Sequence, residues 1–249
     1  MTFEGLSIGV VIPARDEEAA IGKVVTALRA LRNDAGERLL DEIVVTDNGS
    51  RDCTAERARR AGARVVSEPI AGYGRACLAA IAALSKPSIV LFVDGDASVD
   101  PSEVAHLVAP FSQGADLVVG SRTLGHAEAG ALSLPQCWGN RLATFLIRKL
   151  WGRNVTDLGP FRAVRREVLE TLGMADLSFG WTVEMQVKAI QYGYVYAEVP
   201  VSTCVRIGRS KISGTMRGVI SAGMGILCMI GQLWWQERCS PKRRAASTL

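Results

Sequence analysis

Five short apolar runs, each closing on polar residues, constrain this chain more than any other feature. They are "LSIGVVIPA" (6–14), "EIVVTD" (42–47), "ARVVSE" (63–68), "SIVLFVD" (88–94) and "ADLVVGS" (115–121). The first four are each followed by a stretch of helical character. Continuous apolar strands alternating with helices build a mostly parallel sheet covered on both faces. The expected fold is therefore α/β and doubly wound, through residue 122 at least. Helices are expected over 17–31, 52–62 and 74–84, with another opened by Pro101, since proline is tolerated at the first helical position. Past Leu134 helical stretches dominate (136–151, 161–172, 181–192) before one more strand-like run, "YVYAEVPVSTCV" (194–205). Among the 249 residues no repeat or low-complexity linker occurs. Residues 1–215 read as one domain whose second half walls a cleft, followed over 216–249 by an apolar helix and a basic tail.

In open α/β sheets, ligands bind beyond the carboxyl ends of the strands. Here those ends carry Arg15-Asp16-Glu17, Asp47-Asn48-Gly49-Ser50, Asp94-Gly95-Asp96 and Ser121-Arg122. A carboxylate at the tip of a buried strand must be hydrated, paired or bound to a cation, or it costs several kcal/mol. Helix capping is the plain alternative for Asp47, Asn48 and Ser50. A turn that caps the helix at Pro101 is the alternative for Asp94-Gly95-Asp96. Four polar strand ends together mark one site. Asp94 and Asp96, brought round by Gly95, suit an octahedral Mg²⁺ or Mn²⁺, which takes one or two carboxylates and leaves its other positions to water and substrate phosphates.

Other classes fit poorly. Pro13-Ala14-Arg15-Asp16-Glu17 is not the glycine fingerprint of a dinucleotide site, and no Walker A loop occurs. "GYGRA" (72–76) reads equally as a phosphate loop or a plain glycine pair. A net charge of +4 does not announce a nucleic-acid binder, although 162–166, 206–211 and 242–244 are locally basic. The six cysteines lie far apart without a CxxC pair and suggest reduced thiols in a cytoplasmic protein. His106 and His126 have no metal-ligand spacing, and the start of the chain has no leader pattern.

Read in order, "VVIPARDEEAAIGKVV", "DNGSRDCTAERA", "GYGRACLAAI", "VDGDASVDPSEV", "ADLVVGSR", "DLGPFRAVRREVL" and "RIGRSKISGT" resemble the family 2 glycosyltransferases of GT-A fold. The nearest resemblance is to the dolichol-phosphate mannosyltransferase-like and polyprenyl-phosphate glycosyltransferase branch, over roughly residues 6–215. The resemblance implies a Rossmann-like sheet with a nucleotide-diphosphate sugar lying over the strand ends. Pro13, Arg15, Asp16 and Glu17 would line the nucleoside pocket, with Asp47 against the base. Asp94 and Asp96 would hold the metal on the diphosphate. Arg122, and Arg206 with Lys211, would meet phosphate oxygens near the acceptor. Two positions depart from the family: Thr46-Asp47-Asn48-Gly49-Ser50 where Asp-Asp-Gly-Ser is common, and Ser98 where some relatives place a third metal ligand.

The implied activity is a metal-dependent, inverting hexosyl transfer. A hydroxyl acceptor needs a general base, for which Asp157 and Glu184 are candidates; a turn or N-cap and a polar helix position are their plainer readings. A phosphate monoester is already largely dianionic at neutral pH and needs cations instead, available among Arg162, Arg165, Arg166, Arg206, Arg209 and Lys211. For Arg165 and Arg166 a solvated helix face is the plainer reading. A sugar-1-phosphate nucleotidyltransferase would carry a glycine-rich basic loop after the first strand, where this loop is acidic. A non-catalytic nucleotide-binding scaffold has no reason to keep so many charged strand ends.

From Gly218 to Trp235 no charged residue occurs, and Trp234 and Trp235 are followed by Arg238, Lys242, Arg243 and Arg244. This segment can lie at a membrane interface, pack as a core or dimer helix, or span a bilayer. The interfacial reading makes the protein peripheral at the inner face of the membrane and its acceptor a polyprenyl phosphate.

Overall fold

The computed structural model describes residues 5–208 and 216–239; Arg209, Lys211 and the basic tail Lys242, Arg243 and Arg244 lie outside them. Five strands follow the five apolar runs: β1 (Ile8–Ala14), β2 (Glu42–Asp47), β3 (Arg64–Ser67), β4 (Ile89–Phe92) and β5 (Leu117–Ser121). With β6 (Arg162–Arg165) and β7 (Tyr196–Pro200) they form a seven-stranded sheet of order β3-β2-β1-β4-β6-β5-β7. All neighbours are parallel except β6, which runs antiparallel to both β4 and β5. The sheet is mixed and mostly parallel, in line with the expectation from the sequence.

Strand alternation explains the layers. In β1, Ile8, Val10 and Ile12 face the helix α1 (Ile21–Ala30), where Val25 and Leu28 are buried. Val11 faces the other side, with Cys77 and Ala80 of α3 (Tyr73–Ala83). A strand apolar on both faces stays in place only when both are covered, each fully buried aliphatic side chain contributing roughly 1.5–3 kcal/mol. The short helix α2 (Thr54–Arg60) and, after a 3₁₀ turn at Pro101–Glu103, α4 (Val104–Val108) complete this half.

The second half differs from the expected run of helices. The start of 161–172 is strand β6, and helix α6 begins only at Arg166 (Arg166–Leu172). Pairing decides it: Arg162 sits opposite Phe92 and Arg165 opposite Ile89, so β6 fills the gap between β4 and β5 and satisfies their backbone groups. Helix α1 starts at Ile21 rather than at 17, because Glu17 to Ala20 make a turn whose carbonyl at Glu17 receives the amides of Ala20 and Ile21. Three long helices stand on the far side: α5 (Leu134–Trp151), α7 (Trp181–Gln191) and α8 (Met216–Cys239). They share a cluster of their own, in which Ala143 and Ile147 meet Val183 and Val187 together with Met229, Ile230 and Leu233.

Candidate active site

The carboxyl ends of β1, β2, β4 and β5 converge, and their loops are tied together by specific bonds. Asp16 takes a left-handed backbone (φ 50°), its amide donates to Ser50 Oγ at 3.0 Å, and its carboxylate accepts from Arg51 N at 2.7 Å. The Glu17 amide donates to Thr54 Oγ1. Asp47 accepts from Ser50 N at 3.1 Å. Asn48 is buried, donates to the carbonyls of Glu68 and Ile70, and accepts from Gly72 N. None of Asp47, Asn48 and Ser50 makes a side-chain cap on α2. Pro13 is half-buried at the end of β1 and Arg15 is exposed beside it.

Asp94 and Asp96 follow β4 on either side of buried Gly95. Neither caps the turn at Pro101; Asp100 does that, accepting from Ser102 N. Asp96 accepts from Ser98 N at 3.0 Å, and Ala97 between them is held at φ 60°. Left-handed non-glycine residues are costly and gather where structure is over-determined; of the three among the described residues, Asp16 and Ala97 stand at this site. Burial, and the charge of Asp96 beside it, push the Asp94 carboxyl up to about 7. The Tyr73 hydroxyl donates to Asp94 Oδ1 at 3.3 Å and is itself pushed up by burial and by that carboxylate. Two crowded, partly desolvated carboxylates are a demanding pair to keep ionised, and a divalent cation relieves both burdens. The donor set therefore fits Mg²⁺ or Mn²⁺ with two protein ligands and the rest from phosphate and water. Among the described residues no group of three or more His, Cys, Asp or Glu forms a self-sufficient metal cage.

Arg206 reaches this pair from the segment after β7. Its Nη1 lies 3.3 Å from Asp96 Oδ2 and its Nη2 2.9 Å from Glu17 Oε1, while its Nε is buried without a hydrogen-bond partner. The segment is laced down by Cys204 N to Ser98 O and Ile207 N to Asp96 O. Arg122, after β5, is gripped by buried Asp157: Nε to Oδ2 at 2.8 Å, Nη2 to Oδ1 at 2.6 Å, and the Arg122 amide to Oδ2 at 2.7 Å. Asp157 thus holds an arginine rather than standing free. Glu184 is buried on α7, accepts from the amides of Ala175 and Asp176, and pairs with Lys188 Nζ at 2.7 Å. The structure does not bring Glu184 to the cleft. Arg162, buried, spends its guanidinium on the carbonyls of Leu158, Gly159 and Thr182 and so fixes the loop carrying Asp157. Arg165 and Arg166 bond to the carbonyl of Phe111 and the carboxylate of Glu170, away from the cleft.

A pocket of about 330 Å³ opens over Tyr73, Asp94, Asp96, Arg122 and Arg206. Its floor is polar, while its walls include Leu132, Leu158 and Phe179, with Pro135 and Gly139 of α5 and Gly223 and Ile226 of α8. Sequence reasoning missed Tyr73 as a neighbour of Asp94, although "GYGRA" pointed at its loop. It expected the second half to wall the cleft without naming α5, because nothing in a helical period names what the helix leans over.

The model of the family described as "Glycosyl transferase family 2" matches residues 9–173, which contain every strand end of the site. The chain belongs to glycosyl transferase family 2. This glycosyltransferase is 39% identical over 223 residues to an uncharacterized glycosyltransferase of Mycobacterium tuberculosis, covering 88% of this chain and 95% of that one. It is 33% identical over 218 residues to a dolichyl-phosphate hexose transferase of Haloferax volcanii, covering 85% and 88%. Among solved structures it is similar to glucosyl-3-phosphoglycerate synthase of Mycobacterium tuberculosis in complex with Mn²⁺, uridine diphosphate and phosphoglyceric acid. That likeness has a TM-score of 0.74 and 27% identity, over 93% of this chain and 79% of the other.

Proposed function

We propose that this glycosyltransferase moves a hexose, with inversion, from a nucleotide-diphosphate sugar to a polyprenyl phosphate, using Mg²⁺ or Mn²⁺ held by Asp94 and Asp96. One observation carries the reading: the acid pair and Arg206 lie at the floor of a pocket that is mostly apolar where α8 lines it, through Val219, Ala222 and Ile226, and mixed where α5 does, through Pro135, Gln136 and Asn140. A polar reaction centre under a partly apolar opening suits a charged head on a greasy chain. The likeness to a dolichyl-phosphate hexose transferase supports the acceptor class, and the Mn²⁺–uridine diphosphate complex of the structural relative supports metal and donor.

The bound ion would supply charge stabilisation for the leaving diphosphate. The chain's own residues do the rest. Pro13, Arg15, Asp16, Glu17 and Asp47 form the rim on which the nucleoside would lie. Arg122, oriented by Asp157, offers fixed positive charge. Arg206, paired with Glu17 and Asp96, is free to exchange those carboxylates for phosphate oxygens once a cation neutralises Asp96. Asp157 and Glu184 are committed to internal partners, which favours an acceptor that needs no base. A phosphate is such an acceptor.

A second reading, transfer to a small soluble phosphorylated acceptor, is favoured by the likeness to glucosyl-3-phosphoglycerate synthase. A thermal-shift panel of nucleotide diphosphates with and without Mn²⁺ tests the shared core of both readings, because ligands that bind only the folded state raise its apparent stability. Stabilisation by a nucleoside diphosphate should require Mn²⁺ and vanish in Asp96→Asn. Equal stabilisation of Asp96→Asn would overturn the metal role.

A further inference from the structure

The two glycines that flank Tyr73, Gly72 and Gly74 at the start of α3, are placed by the backbone they touch. A Cβ on Gly72 would stand 2.3 Å from the Leu177 carbonyl oxygen, and one on Gly74 2.0 Å from that of Asp176. Neither place admits a side chain, which is where glycine is used for close backbone approach. The Arg75 amide completes the contact by donating to Leu177 O at 3.2 Å. On its other side the loop is held by Asn48, which accepts from Gly72 N at 2.9 Å and donates to the carbonyls of Glu68 and Ile70. The turn at 176–177 is itself fixed by Glu184, through the amides of Ala175 and Asp176.

What this frame places is Tyr73. Its ring packs at the edge of the core cluster that contains Val11, Phe92 and Trp181, and its hydroxyl lines the pocket, donating to Asp94 Oδ1 at 3.3 Å. Among the described residues no other hydrogen bond or ion pair reaches the Asp94 carboxylate. The terminal torsion of a carboxylate is broad and roughly two-fold, so a single donor decides which oxygen is held and leaves Oδ2 for a ligand. The bond is long for an O–H···O contact, and a neutral hydroxyl brings no charge to the acid pair. It orients Asp94 without competing with a cation. Arg206 on Asp96 is the opposite case, a charged partner that a cation would have to displace.

We propose that Tyr73 is a positioning residue of the cation site: it holds Asp94 by Oδ1 so that Oδ2 is free for Mg²⁺ or Mn²⁺, and the glycine contact with the turn at 176–177 sets the hydroxyl in place. This rests on the metal reading above. Carboxylates that ligate metals are themselves hydrogen-bonded, and loss of such a partner typically costs about 10–100-fold in metal affinity or activity.

The Mn²⁺ concentration that gives half of the thermal stabilisation by uridine diphosphate reads cation affinity in the full-length protein without turnover. Tyr73→Phe, which keeps the ring and removes the hydroxyl, should raise that concentration about tenfold or more. Tyr73→Leu, which removes both, should raise it by a similar factor. Transfer activity lost at low Mn²⁺ should return as Mn²⁺ is raised, a shift in the metal requirement rather than in kcat. A wild-type Mn²⁺ requirement in folded Tyr73→Phe, with the Mn²⁺-dependent stabilisation abolished in Asp94→Asn, overturns the positioning role and leaves the metal reading intact. A loss of kcat that excess Mn²⁺ does not restore also overturns it, since Tyr73 would then act in the chemistry itself. If Asp94→Asn is stabilised as wild type is, the metal reading falls and the role of Tyr73 with it.

Discussion

Asp94 and Asp96 crowd each other's charge, and their partners differ: Asp94 accepts from the Tyr73 hydroxyl, while Asp96 accepts from Ser98 N and pairs with Arg206. Glu184 receives two amides and an ammonium, and Asp157 receives three bonds from Arg122. That contrast predicts different phenotypes. Asp94→Asn and Asp96→Asn should each abolish transfer; Asp94→Asn should leave the melting temperature unchanged or raised, since a crowded charge has been removed, whereas Asp96→Asn also takes a charged partner from Arg206. Asp157→Asn should weaken folding by roughly 3–5 kcal/mol in denaturant melts, because it strands the partly buried Arg122 guanidinium. Glu184→Gln should lose roughly 1–3 kcal/mol of stability with kcat close to wild type. A fall in kcat of about a hundredfold or more in folded Glu184→Gln would restore it as a general base.

Elements show where sequence was informative and where it was not. Strand β4 was legible because a carboxylate directly after a run of apolar residues has few structural uses, and β1 and β2 because their apolar runs open into loops that carry Asp16, Glu17 and Asp47. Strand β6 was not: "RAVR" inside a helix-like stretch becomes a strand only because β4 and β5 leave a gap that its backbone fills, a contact distant in sequence. The roles of Asp157 and Arg162 were hidden for the same reason, since their partners lie far along the chain or on backbone carbonyls. Helix α8 was legible as apolar, and its Gly218–Cys239 stretch, of mean hydropathy 1.4, is long enough to cross a membrane. Its Met229, Ile230 and Leu233 nevertheless bury against α5 and α7. Deleting it would uncover that cluster, so membrane contact is better probed by surface substitutions. Trp138→Glu/Phe145→Glu on α5 should reduce sedimentation with anionic vesicles several-fold and leave the melting temperature within about 2 °C. Leu233→Ala should instead cost roughly 2–5 kcal/mol of stability. Vesicle binding that survives the α5 double substitution would move the docking face elsewhere.

For the whole molecule, the sheet supplies a rigid floor of strand ends, and the α5–α7–α8 layer supplies the apolar wall above it. Residues 9–173, matched by the family, include the strand ends and α5 but stop short of Arg206 and α8. The central claim is hexosyl transfer to a lipid phosphate with a divalent cation held by Asp94 and Asp96. Its most direct measurement incubates the full-length protein with Mn²⁺, a panel of sugar-labelled nucleotide-diphosphate sugars and a polyprenyl phosphate in anionic vesicles, then partitions label between organic and aqueous phases. At least one donor should carry label into the organic phase, chelator should abolish this reversibly, and Asp96→Asn should show none. Label that never leaves the aqueous phase, while the same protein glycosylates 3-phosphoglycerate, or organic-phase label undiminished in chelator, would contradict the account.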